Sequence, residues 1–154
     1  MAQRTLKVAI VGAGMSGICM AAKLQDAGID TFTIFESADE VGGTWRDNTY
    51  PGAACDVPSR LYSYSFALNP DWSRAYSGQA EIQAYMEDCA DRFGVRASIR
   101  FNAEVERADW DEAAKLWRVT LRGGETLAAP VLVSALGQLN RPQFAGIPGR
   151  ETFK

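Results

Sequence analysis

Gly12-Ala13-Gly14-Met15-Ser16-Gly17 stands between an apolar run, Leu6 to Val11, and a stretch of helical character from about Ser16 to Ala27. The spacing is G-x-G-x-x-G. Alone it is weak evidence, because a chain with 14 glycines meets it by chance at a rate on the order of one in ten. Its position between a strand and a helix gives it meaning. Gly12 permits a tight turn, Gly14 lets the backbone come close to a pyrophosphate, and Gly17 lets the helix lie against the strand. The helix start then presents unbonded N–H groups and the positive end of a dipole to an anion.

Gly28 is a natural C-terminal stop for that helix, and Thr31 to Phe35 is a second β-rich segment. The first 36 residues therefore read as a β–turn–α–β unit, the start of a Rossmann-like α/β domain. Glu36 ends the second strand, nineteen residues after Gly17. A carboxylate there accepts hydrogen bonds from ribose hydroxyls and repels a 2′-phosphate, which disfavours NADP at this site. The plainer alternative is a solvated strand end.

A simple NAD-binding unit continues soon afterwards with a helix and a third strand. Here Ser37 to Ser77 is an irregular excursion rich in Gly, Pro, Asn, Asp and aromatics. Loops this long in a compact domain are functional or disordered. Five aromatics between Trp45 and Phe66 favour an ordered loop over a ligand. Gly42-Gly43 allows close backbone approach, and Trp45 with the aromatics behind it can cover a flat, apolar ring system. That combination favours FAD over NAD.

Beyond the excursion, Ile82, Tyr85, Met86, Cys89, Ala90 and Phe93 form one stripe of an amphipathic helix over Gln79 to Phe93, ended by Gly94. Ile99 to Phe101, Val105 to Trp110, Trp117 to Arg122 and Thr126 to Ala129 read as short antiparallel strands, with a Gly123-Gly124 turn. Val131 to Ala135 is fully apolar, the pattern of a buried parallel strand. Leu139 to Lys154, with Pro142, Pro148, Gly146 and Gly149, reads as a linker.

The composition excludes several classes. The chain of 154 residues contains no histidine, so His-based triads, bases and metal ligands are ruled out. Cys19, Cys55 and Cys89 show no CxxC spacing, and their sparse, odd number fits a reducing cytoplasm. Net charge is −3 with signs interspersed, which points away from nucleic acid and anionic lipid. The uncharged run from Val8 to Ala22 imitates a signal peptide, but its three glycines fit a strand–turn–helix better.

Three blocks resemble one family. They are Gly42-Gly43-Thr44-Trp45; Asn48-x-Tyr50-Pro51-Gly52-x-x-Cys55-Asp56-x-Pro58-Ser59; and Tyr62-Ser63-Tyr64-Ser65-Phe66. They look like class B flavoprotein monooxygenases, the Baeyer–Villiger monooxygenases and flavin-containing monooxygenases. Trp72 to Ile82 and Ser134 to Leu139 are similar too, so the resemblance covers nearly the whole chain. It implies a two-dinucleotide-domain enzyme with bound FAD, NADPH as electron donor, O2, and a C4a-peroxyflavin that attacks a ketone. The alternatives are oxygenation of N or S atoms, and a truncated, non-catalytic FAD-binding module. A disulfide-reductase relative is rejected, because Trp45 stands where such enzymes need a redox cysteine.

Carried over by the resemblance, Gly12, Gly14, Ser16 and Gly17 hold the pyrophosphate and Glu36 the ribose. Gly43, Thr44 and Trp45 run along the flavin side, with Tyr62 and the backbone of Val105 as further contacts. Ala135 and Gly137 match a short A-x-G strand end where FAD and nicotinamide domains meet. Asp56 corresponds to a carboxylate near flavin and nicotinamide that orients an arginine; the alternative is an Asx-type turn before Pro58. Residues 1–138 are then an incomplete FAD-binding domain and 139–154 a linker toward an NADPH-binding domain outside this chain. The expected partner is the rest of the enzyme, or another chain, covering the exposed sheet. Phe153-Lys154 matches the first two positions of an F-x-G-x-x-x-H signature, so a Gly and then a His are expected to be encoded just beyond. The isolated chain is expected to be inactive.

Overall fold

The computed structural model describes residues 6–139 and 143–153. Four parallel strands form one sheet in the order β3-β2-β1-β7, and three antiparallel strands, β4-β5-β6, form a second. The parallel sheet contains β1 (Val8–Val11), β2 (Phe32–Phe35), β3 (Ile99–Arg100) and β7 (Val131–Ser134). In-register pairing aligns Val8 with Phe32 on one side and with Val131 on the other. Helix α1 (Met15–Asp26) makes the β1–β2 crossover, and α3 (Gln79–Arg92) packs beside it.

The two faces of the parallel sheet bury different partners because successive side chains point to opposite sides. Val8, Ile10, Phe32 and Ile34 pack against Ile18 and Ala21 of α1 and Ile82, Met86 and Cys89 of α3. Ala9 and Phe35 face the other way, onto Val119, Leu121 and Ala129 of the meander formed by β4 (Val105–Asp111), β5 (Leu116–Leu121) and β6 (Thr126–Ala129). The molecule thus has three layers: helices, parallel sheet, meander. Arg100 and Glu125 form a two-pronged ion pair from the edge of the sheet to the β5–β6 turn.

The β–turn–α–β reading holds, with β1 and β2 somewhat shorter than expected. Gly28 follows the helix with φ of +73°, and Gly94 follows α3 with φ of +64°. Three expectations need correction. Ile99–Arg100 is parallel to β2, not antiparallel, because it returns from a helix rather than a hairpin. The apolar β7 is an edge strand: its outer side pairs with nothing among the described residues, and Val131 remains 47% exposed. The excursion is not wholly irregular, since Thr44–Asp47 forms a one-turn helix, α2, and Ser59–Leu61 a 3-10 turn. Residues 143–153 of the expected linker are exposed throughout. Asn140 to Pro142 and Lys154, and with Lys154 half of the Phe153-Lys154 match, lie outside the described residues.

The excursion is held by specific bonds. Tyr64 donates its hydroxyl to the Met15 carbonyl at 2.7 Å, and Tyr85 donates to the Ala67 carbonyl at 2.8 Å. Burial pushes both phenols above their ordinary pKa, which keeps them neutral donors. Ser59 Oγ bonds Ser77 Oγ at 2.8 Å and the Arg74 carbonyl at 3.0 Å, and it accepts from the Ser77 N–H at 2.7 Å. These buried serines tie the middle of the excursion to its end.

Gly17 is the steric hinge between α1 and the glycine loop. A Cβ there would lie 1.9 Å from the Gly12 carbonyl oxygen, which is backbone and cannot swing aside. Gly17→Ala is expected to cost about 3 kcal/mol, the upper range for overpacking. Chemical denaturation of both proteins checks this; equal midpoints would show that helix and loop can separate freely.

Candidate functional site

Two glycine-rich segments meet at the C-terminal ends of β1 and β2. The first is the Gly12–Gly17 loop. Gly12 has φ of +101°, and a Cβ on it would lie 2.7 Å from the Ala135 carbonyl. The Ala135 N–H in turn donates to the Val11 carbonyl at 2.9 Å, so the end of β7 closes one wall. The second segment is Gly42-Gly43-Thr44-Trp45. The Gly42 N–H donates to the Ala13 carbonyl at 3.1 Å. A Cβ on Gly43 would stand 3.4 Å from the Gly14 Cα. Gly14 and Gly43 therefore approach backbone to backbone, and a side chain on either would narrow the gap.

Gly14 is the N-cap residue of α1 and has no side chain to cap it. Met15, Ser16 and Gly17 follow in the first turn, where N–H groups lack intrahelical acceptors. Nothing acidic occupies that turn. The result is a backbone surface with the polarity to hold an anion.

Glu36 lies beside it and is only 4% exposed. Its Oε2 accepts from the Ala13 N–H at 2.7 Å. Its Oε1 accepts from Ser37 Oγ at 3.2 Å, the Ala38 N–H at 3.0 Å and Arg46 Nη1 at 3.1 Å. A solvated strand end is therefore ruled out: this carboxylate is built into the loop. Oε2 has a single donor and keeps a lone pair for another.

Trp45 is fixed at both ends. Its indole Nε1–H donates to the Tyr62 hydroxyl at 2.8 Å, with the rings edge to face at 5.4 Å. Its carbonyl accepts from Gln79 Nε2. Burial is the main cause that raises the Tyr62 pKa, with smaller contributions from Cys55 and Asp56, so the phenol stays protonated.

Gly12, Gly14, Gly17, Glu36, Gly43, Thr44, Trp45, Tyr62 and Ala135 are thus joined by direct contacts or adjacent backbone. Ser16 shares the first turn of α1 with them, whereas Asp56, Val105 and Gly137 make no hydrogen bond to this group among the described residues. Ser16 is exposed, with no side-chain bond among the described residues. Asp56 is exposed, makes no ion pair or hydrogen bond among the described residues, and forms no Asx turn before Pro58. Val105 pairs with Leu121 in the meander and packs on the second core. Gly137, with φ of +68°, is exposed beyond β7.

Residues 10–78 match the family described as NAD(P)-binding Rossmann-like domain. A Baeyer-Villiger monooxygenase of Streptomyces coelicolor is 52% identical over 149 residues, 96% of this chain and 28% of that protein. The chain belongs to the Baeyer–Villiger and FAD-binding monooxygenase family. It corresponds to the N-terminal portion of these monooxygenases. The open crystal structure of cyclohexanone monooxygenase is 37% identical with a TM-score of 0.86, covering 97% of this chain and 30% of that one. A crystal structure of OTEMO in complex with FAD and NADP gives 36% and 0.86, with coverage of 99% and 29%. The chain therefore spans less than a third of the monooxygenases it matches. Among the described residues no helix is long and apolar enough to cross a membrane.

Arg46 was not foreseen in the sequence. Its Nη1 bonds the Glu40 carbonyl at 2.6 Å as well as Glu36, and its Nε bonds Asp47 Oδ1 at 2.8 Å. No spacing rule marks an arginine that follows a tryptophan in a loop. Here it supplies the cation for a buried carboxylate. Arg46→Met leaves Glu36 without it and is expected to cost about 2 kcal/mol, as for a lost bond to a charged group. Thermal unfolding measures this; an unchanged midpoint would show that the backbone donors to Glu36 suffice.

Proposed function

We propose that this chain is the FAD-binding part of an NADPH- and O2-dependent flavoprotein monooxygenase that inserts oxygen beside a ketone carbonyl. One observation carries the reading: two glycine-rich backbones meet at the N-terminus of α1, beside a buried carboxylate, with Trp45 and Tyr62 adjoining. The residues fit FAD. Gly14 and Gly43 leave space that a Cβ would fill, α1 offers its first N–H groups to the pyrophosphate, and Glu36 Oε2 can accept from ribose. FAD supplies the redox chemistry and the reaction with O2. The chain's own task is to hold the adenosine and diphosphate and to place the ring system against Trp45.

The matching domain description speaks of NAD(P), whereas relatives bear FAD in their names. We favour FAD because Glu36 repels a 2′-phosphate and the ordered excursion adds an aromatic wall that an adenine dinucleotide half does not need. Ser16 joins the diphosphate site through its N–H, Val105 and Tyr62 line the cofactor, and Gly137 marks the junction with a nicotinamide domain. Asp56, exposed and uncommitted, is assigned to orient an arginine supplied by the remainder of the enzyme. Residues 1–138 form the FAD domain and 139–154 the link to the NADPH domain. The remainder of the enzyme also covers β7. Three free cysteines fit a cytoplasmic setting. Oxygenation of N or S substrates is the nearest alternative activity.

FAD titration of the purified chain, followed by flavin fluorescence, tests the cofactor assignment. FAD should bind more tightly than NADP or NAD, and Glu36→Arg should weaken it by about 1–3 kcal/mol. Tighter NADP binding would refute the assignment. In a complete enzyme carrying this segment, Asp56→Ala should slow oxygenation more than it lowers FAD occupancy. Full occupancy with unaltered turnover would remove Asp56 from the mechanism.

A further inference from the structure

The flavin-side turn has an unusual support. Gly42 and Gly43 adopt φ of +124° and +51°, a pair of conformations that only glycine holds easily. The same freedom leaves the turn soft unless something fixes it. Two side chains do so from α3. Gln79 donates its amide Nε2–H to the Trp45 carbonyl, and Gln83, one helical turn later, donates to the Val41 carbonyl at 2.9 Å. These carbonyls stand immediately before and after Gly42-Gly43-Thr44.

Gln83 has a single possible orientation. Its Nε2 faces two acceptors, the Val41 carbonyl and Glu87 Oε1 at 2.8 Å, so a flipped amide would oppose oxygen to oxygen. Its own Oε1 is then left buried with no donor among the described residues. That oxygen lies 1.9 Å from where a Gly42 Cβ would be, so the amide fills the side-chain space beside the turn. A residue chosen only to fill this space would bury no oxygen without a donor; what Gln83 adds is a bond that ties α3 to the turn. The arrangement makes sense if the position of the turn is what matters.

We propose that Gln79 and Gln83 are positioning residues for the flavin half of FAD. They clamp both ends of Gly42-Gly43-Thr44 so that its backbone stays against Gly14 and Trp45 stays beside the ring system. The proposal rests on the FAD assignment above. It requires that the clamp act on the flavin half, while the adenosine and diphosphate half depends on Glu36 and the α1 N-terminus.

The experiment compares the chain with Gln79→Met, Gln83→Met and the double variant, using FAD, ADP and thermal unfolding as readouts. The double variant should bind FAD at least about tenfold more weakly, the scale of one lost hydrogen bond. ADP affinity should stay within about twofold, since it reports only the other half. Gln83→Met loses the buried oxygen but also the donor to the Val41 carbonyl and Glu87, so its unfolding midpoint should stay close to the parent's. Unchanged FAD affinity in the double variant overturns the proposal. So does a parallel loss of FAD affinity, ADP affinity and thermal stability, which would mark a structural role. A parent chain that binds ADP but gains nothing from the flavin half overturns the FAD assignment and this proposal with it.

Discussion

The peptide groups of Ala13 are the fulcrum of this structure. The N–H donates to Glu36 at the end of β2, and the carbonyl accepts from Gly42 at the start of the flavin-side turn. A single residue in the glycine loop is thereby gripped by the two segments that would hold opposite halves of a dinucleotide. Both bonds use the backbone of Ala13, one to a side-chain carboxylate and one to a backbone N–H, and neither adds a side chain to the glycine loop. Charge completes the grip. Glu36 is buried and therefore needs donors, and Arg46 with three neighbouring groups provides them.

The layers around this point explain why it lies where it does. Strand β1 is central and short, flanked by β2 and β7, and its carboxyl end opens into the loop. Parallel strands that end together leave a crevice at their carboxyl edge, which is where such sheets bind ligands. The meander packs behind Ala9 and Phe35, on the face of the sheet opposite the helices. On the helical face α3 has a second task, since it reaches the Gly42–Trp45 turn with two amides.

The βαβ core was legible because it obeys local rules: apolar runs of strand length, glycines at fixed spacing, and a helix with one apolar stripe. The family resemblance was legible in Gly42 to Phe66 for the same reason, as short blocks of adjacent residues. What could not be read were bonds between segments remote in sequence. Ile99 was given the wrong pairing sense because a short strand carries no mark of its neighbour's direction. Val131 to Ala135 was read as buried from its apolar composition, which does not say whether another element covers it. Glu36 was recognised by its position, but its bond to Ala13 was not. Arg46, Gln79 and Gln83 carried no pattern at all, since each acts on a backbone carbonyl or a carboxylate that any sequence could offer.

The bond between Tyr64 and Met15 spans 49 positions of the chain, and that between Glu36 and Ala13 spans 23. Closing such loops costs entropy before any contact compensates for it. The bonds within α1 join near neighbours, whereas the excursion must wait for α3 to exist as a surface. During synthesis the glycine loop is therefore made first and furnished last.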